Sequence, residues 1–291
     1  MSDRRYTRYE AERRRRPPRR RARRAWLVLL AAAAGVAGVA WAVGARGGEE
    51  TATPATTVEP PVKVTFPEGL RREEIAAILE EKTHMTRAAY LEATADEAEA
   101  RRRAKTPAAT SLEGFLFPAT FDIGSRLTEE EFVQSQLSAY DSWTRDVNYR
   151  YSRSKNLTKY EVLIIASLVE REVRVPSERP VVAGIIYNRL KHRMRLDIDA
   201  TVQYALGEWK TDLTVSDLAI DSPYNTRRYP GLPPGPICNP GLASIAAAAR
   251  PKVTDFLYYV ARDDGSGRHY FARTAEEFEA AVARARSNRG E

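Results

Sequence analysis

The chain has a single cysteine, Cys238, in 291 residues. A disulfide within the chain is therefore excluded, and so is a zinc site built on a cysteine cluster. Histidine is nearly as scarce. His84, His192 and His269 stand far apart, at no spacing that a metal-binding motif uses. No glycine-rich phosphate loop opens a helix anywhere along the chain. The expectation is a protein that works with no cofactor: no motif-bound metal and no nucleotide.

Charge is present, but it is concentrated. The chain is +7 overall. Residues 1–24 hold twelve arginines against Asp3, Glu10 and Glu12, so this tail alone is +9 and residues 25–291 are left at −2. The basic isoelectric point belongs to the tail, and nucleic acid is not an expected partner. Directly after it, residues 25–45 carry no charge. At 1.5 Å per helical residue this run reaches roughly 30 Å, the thickness of a bilayer core. Trp26 and Trp41 lie near its two ends, where indoles favour the interface. The arginine cluster predicts that the first end faces the cytoplasm. A cleaved signal peptide is the rival, with Val43-Gly44-Ala45 as a poor cleavage site and an apolar region too long for the type. The expected organisation is a cytoplasmic arginine-rich tail (1–24), one transmembrane helix (25–45), a linker (46–60) and a globular part outside the cell membrane.

The globular part reads as α+β. Residues 46–60, rich in Gly, Thr, Pro and Glu, form the flexible linker. Val62 to Phe66 alternates as a strand, Pro67-Glu68-Gly69 turns, and Ile75, Ala76, Ile78 and Leu79 give Arg72–Glu81 a helical period. A second helix is expected over 87–99. The aromatic, proline-interrupted stretch 111–123 suggests an extended segment closing a small unit. Helices follow at about 128–145, 158–174 and 177–192.

The chemistry points to the helix at 158–174. Thr158-Lys-Tyr-Glu161 is a capping box. Apolar residues from Val162 to Val169 then cover nearly the whole circumference, which marks a buried helix. Glu170 is two turns beyond Leu163, at nearly the same azimuth, so it points where a buried side chain would point. A desolvated carboxyl holds its proton more firmly and can serve as a general acid. The residues alone leave a second possibility open, that Glu170-Arg171-Glu172 is a solvated last turn. Asp197 and Asp199 can supply a further carboxylate. Glu113 reads as a structural carboxylate bonded to backbone at a domain junction. The loops Ser222–Thr226 and Gly231–Gly241 are dense in turn residues and suit polar ligand binding.

Taken together, several stretches resemble the MltG/YceG-like family of membrane-bound endolytic peptidoglycan transglycosylases. They are Leu112-Glu-Gly-Phe-Leu-Phe-Pro118, Ile165-Ala-Ser-Leu-Val-Glu-Arg-Glu172, Tyr187-Asn-Arg-Leu190, Met194-Arg-Leu196, Thr201-Val-Gln-Tyr204, Ser222-Pro-Tyr-Asn-Thr226 and Gly231-Leu-Pro-Pro-Gly-Pro-Ile237, with Asp255–Ala261 and His269-Tyr-Phe271 near the end. Ala200 stands where the family often has proline, and Cys238 where it often has alanine. The resemblance implies a small LysM-like module at 61–125 and a mixed α/β catalytic domain at 126–291. It places the catalytic glutamate on Glu170. It also implies substrate-binding roles for Gln203, Tyr224, Asn225 and Asn188. The implied reaction cuts peptidoglycan glycan strands between N-acetylmuramic acid and N-acetylglucosamine, with one carboxyl acting first as acid and then as base. The implied partners are glycan strands and the membrane, and cell-wall synthesis enzymes would share that location. The alternative is a non-catalytic peptidoglycan-binding scaffold.

Overall fold

Strand β1 (Val62–Thr65) pairs antiparallel with β2 (Thr120–Ile123), Val64 opposite Phe121, and so closes the first third of the computed structural model, which describes residues 60–290. The expected tail, transmembrane helix and nearly all of the linker lie outside the described residues. Among the described residues, no helix is long and apolar enough to cross a membrane.

Between the two strands run α1 (Arg72–Lys82), α2 (Arg87–Thr94) and α3 (Glu97–Ala104). The single helix expected over 87–99 is thus two. Asp96 explains the break: its carboxylate accepts from the Glu99 N–H at 3.0 Å and caps a new helix, a position that aspartate favours over a helix interior.

The remainder is mostly helical. Helix α4 (Glu129–Thr144) starts at the Thr128–Glu131 capping box, and α6 (Lys159–Glu172) starts at the Thr158–Glu161 box, with the short α5 (Arg150–Ser154) between them. A 3₁₀ turn (Pro176–Glu178) leads into α7 (Arg179–Lys191). Then come α8 (Asp199–Leu206), α9 (Val215–Leu218) and α10 (Leu242–Ala249). An antiparallel hairpin of β3 (Tyr258–Ala261) and β4 (His269–Ala272) and the final helix α11 (Ala275–Arg289) complete an α+β fold.

Helix α6 is the axis of the core. Every residue from Val162 to Val169 is buried, as its uninterrupted apolar run demands, and it packs against α7 and the alanine-rich α10. The core continues without a gap into the N-terminal third. Phe132 of α4 lies 5.5 Å from Phe66 and 6.0 Å from Tyr90, and Phe115 stacks on Tyr160 at 5.9 Å. This shared core fixes the turn after β1 against the end of α6.

Candidate active site

Helix α6 ends at Glu172, and its last turn is only partly exposed. The Glu170 side chain is only 6% exposed. A buried carboxyl needs compensation, and two donors supply it. The Arg179 guanidinium, at the start of α7, lies 3.3 Å from Glu170 Oε1. The Gly241 N–H, at the N-terminus of α10, donates to Oε2 at 3.0 Å. A helix N-terminus favours negative charge at that point. Arg179 is itself set by the preceding turn, where Glu178 accepts from the His269 main-chain N–H at 3.2 Å and pairs with the His269 ring at 2.8 Å.

The third element at this point is the turn that follows β1. Gly69, at φ +85°, donates its N–H to the Asn239 carbonyl at 2.9 Å and accepts from Arg171 at 3.2 Å. Positive φ suits glycine, and here it lets the turn lie flat on the 239–241 loop. Glu68 is thereby laid over Gly241: a Cβ on that glycine would fall inside the Glu68 carboxylate. Burial, and then the charge of Glu170, push the Glu68 carboxyl up from its ordinary value, while Arg179 pulls it down.

Asn239 ties these pieces together. It is fully buried. Its side-chain oxygen accepts from the Gly114 and Leu116 N–H groups at 2.8 and 3.0 Å, and its amide donates to Leu70 O at 3.0 Å and Glu113 Oε1 at 2.6 Å. Glu113 also accepts from the Arg72 N–H at 3.3 Å, the backbone-bonded structural carboxylate that its sequence position suggested. Burial pushes it up to about 8. Ser167 bonds back to Ile164 O, as expected of a hydroxyl in a helix, and also accepts from the Ile237 N–H at 3.0 Å. The Cys238 thiol, fully buried, reaches Ser167 O.

The other expected site residues serve the loops. Asn225 is buried, with its amide donating to Leu218 O and Ile220 O and its oxygen accepting from the Arg227 N–H. Asn188 donates to Thr254 O and Phe256 O. Gln203 accepts from the Lys210 N–H and so holds the turn that carries Trp209, on whose ring Arg171 stacks at 3.6 Å. Tyr224 packs on Tyr204 at 4.8 Å, and burial pushes its phenol up to about 12. Among the described residues, the hydrogen bonds of Glu170 go to Arg179 and Gly241. Glu68, Arg179, Asn239 and Gly241 were not singled out by sequence reasoning. The one signal available for the last two was their place in the turn-dense loop.

A cleft of about 880 Å³ opens beside the end of α6, walled by Arg171, Glu172, Arg189 and Tyr259. Glu170 does not line it, being about 200° around the helix from Glu172. Glu172 is held by the Tyr259 hydroxyl at 2.9 Å, and burial raises its carboxyl. The volume therefore lies next to Glu170 in sequence and on another face in space. The compensated, loop-enclosed carboxyl of Glu170 is the better candidate for proton transfer. Size alone does not mark the chemistry, and the hydroxyl of Tyr259 gives Glu172 a structural partner.

Known proteins of similar sequence and fold show the family. An endolytic murein transglycosylase of Bacillus subtilis (strain 168) is 33% identical over 243 residues, covering 79% of this chain and 66% of that one. A protein of the same name from Streptococcus pneumoniae (strain ATCC BAA-255 / R6) is 35% identical over 243 residues, covering 76% of this chain and 44% of that one. The chain thus spans less than two thirds of the length of either relative. The crystal structure of a yceG-like protein from Listeria monocytogenes superposes with a TM-score of 0.68 at 33% identity, covering 76% of each chain. A sequence model of the YceG-like family matches residues 49–284, and the chain belongs to that family.

Proposed function

We propose that this protein is an endolytic peptidoglycan transglycosylase, cutting glycan strands between N-acetylmuramic acid and N-acetylglucosamine and leaving 1,6-anhydromuramyl ends. The observation that carries the reading is the Glu170 carboxyl, enclosed at the end of a buried helix and faced by Arg179 and the Gly241 N–H. Protonated Glu170 gives its proton to the glycosidic oxygen, and the bond to the muramyl C1 breaks. Positive charge then develops on the sugar ring. Arg179 and the Gly241 N–H stabilise the carboxylate that remains. That carboxylate takes the proton of the muramyl 6-hydroxyl as its oxygen closes on C1. One carboxyl acts first as acid and then as base, so no water-activating second residue is required, unlike ordinary glycoside hydrolysis. The names of the relatives support the substrate class.

In this reading the 25–45 segment is the membrane anchor, with the N-terminus in the cytoplasm and the catalytic part outside. A linker of about 15 flexible residues reaches roughly 20 Å, so cutting is confined to strands near the membrane surface, where synthesis enzymes are also found. The 61–125 segment is the LysM-like module. The test is digestion of purified glycan strands by the full chain. Anhydro-ended internal fragments are expected. Reducing ends would replace the lytic mechanism with hydrolysis, and binding without product would favour a non-catalytic wall-binding scaffold.

A further inference from the structure

The N-terminal β-α-β unit reaches Gly241 through the Glu68 side chain. Glu68 sits on the turn after β1, pinned by Gly69 to Asn239 and by Arg171 to Gly69. Its carboxylate fills the space that any side chain at position 241 would need. Gly241 is the residue whose N–H holds Glu170. The same glycine thus carries one carboxylate on its nitrogen and the other over its Cα. The charged groups that act on Glu68 are Glu170 of α6 and Arg179 of α7, and Arg171 grips the carbonyl of the neighbouring Gly69. Loop 239–241 adds no charged side chain.

We propose that Glu68 is the carboxyl partner of Glu170: the two carboxyls meet over Gly241 and hold one proton between them, and Glu68 is the positioning residue that acts through Glu170. The inference rests on the transglycosylase reading. Its physics is that two adjacent carboxylates resist ionising together, so a charged Glu68 opposes proton loss from its neighbour. Arg179 and the α10 N-terminus pull the other way, and Glu68 offsets them. After Glu170 has given its proton to the leaving oxygen, both carboxyls are charged. Their repulsion makes Glu170 a stronger base for the 6-hydroxyl proton, and uptake of that proton restores the pair. Glu68 itself makes and breaks no bond. This also explains why position 241 is glycine although its backbone, at φ −75°, would accept any residue.

The experiment follows kcat, KM and the pH profile of the full chain on glycan strands. Glu68→Gln is expected to lower kcat at least tenfold with KM within twofold, and to move the alkaline limb of kcat to lower pH. Glu68→Asp keeps the charge and should restore part of both. Gly241→Ala should reproduce the Glu68→Gln limb, because the added methyl displaces a flexible carboxylate and leaves the N–H to Glu170 in place. Wild-type kcat with an unmoved limb in Glu68→Gln would overturn the proposal. So would equal loss in Glu68→Gln and Glu68→Asp with the limb unmoved, since that is the mark of a structural role. A carboxyl ¹³C titration tests the pair without any turnover: Glu170→Gln should lower the midpoint of Glu68, and an unmoved midpoint overturns the pairing. Should the wild-type chain give no anhydro ends, the transglycosylase reading falls, and the titration still decides whether the two carboxyls are coupled.

Discussion

The Gly241 N–H donates to Glu170 Oε2 across 71 residues of sequence, so the end of α6 and the start of α10 share one carboxylate. Replacing that carboxyl with an amide keeps the volume and removes the transferable proton. Glu170→Gln is expected to lower kcat by about 10²–10⁴-fold, the usual range for a general acid–base group. Melting should change little, because the amide oxygen can still accept from Gly241. The measurement is strand cleavage beside a thermal melt. Undiminished cleavage would remove Glu170 from the acid role.

How far the site was legible follows from the range of each interaction. Glu170 stood out because α6 is otherwise apolar from Val162 to Val169, and a polar residue on a buried face is an anomaly that one sequence can display. Helix α6 was legible for a similarly local reason, its opening Thr-x-x-Glu box, and the structure shows the same box at the start of α4. The break between α2 and α3 was missed because the helical pattern outweighed the capping value of Asp96. Glu68 looked like an ordinary turn residue. Its meaning lies in Gly241 and Glu170, both more than 100 positions away, and no periodicity encodes such a contact. Asn225 and Asn188 were legible as polar residues of interest, but their partners are main-chain carbonyls, which leave no trace in a sequence.

Asn239 makes a second prediction. Its side chain satisfies the Gly114 and Leu116 N–H groups, the Leu70 carbonyl and the Glu113 carboxyl, all within a buried junction. Asn239→Ala leaves these groups without their partner, at about 1–3 kcal/mol for each that stays unsatisfied. An overall loss of roughly 3–5 kcal/mol is expected, since buried network losses lie at the severe end of point substitutions. Urea unfolding of wild type and variant measures it. A loss under about 1 kcal/mol would show that the junction does not depend on this residue.

Gly114, in the Leu112–Pro118 stretch, is glycine for two separate reasons. Its φ is +87°, and a Cβ would come within 2.5 Å of the Pro236 ring. The backbone penalty for an L-residue there is about 1–2 kcal/mol, and forcing an extra carbon into a packed contact adds about 1–3 kcal/mol. Gly114→Ala should therefore destabilise by roughly 2–5 kcal/mol. Because Pro236 is rigid and its neighbour Ile237 is bonded to Ser167, the strain should pass to the end of α6. Calorimetry checks the stability, and an unchanged melting temperature would contradict the contact.

Glu113 couples the same junction to pH. Burial raises it from 4.5 to about 8, so the folded chain keeps a proton that the unfolded chain releases near 4.5. The sign follows from proton counting. Between those two values the folded state binds more protons, so stability is full below about pH 4.5, falls as the pH rises towards about 8, and is level above it. A shift of this size corresponds to a few kcal/mol, roughly 1.4 for each pH step. Glu113→Gln cannot ionise and should lose this slope, whatever its fixed offset from the Arg72 N–H, which would then face an amide. Unfolding free energies of both chains from pH 5 to pH 9 give the test. The difference, wild type minus variant, should decline across the window and then flatten. A constant difference would mean that Glu113 is ionised in the folded protein, and that Asn239 and the Arg72 N–H hold a carboxylate there rather than an acid.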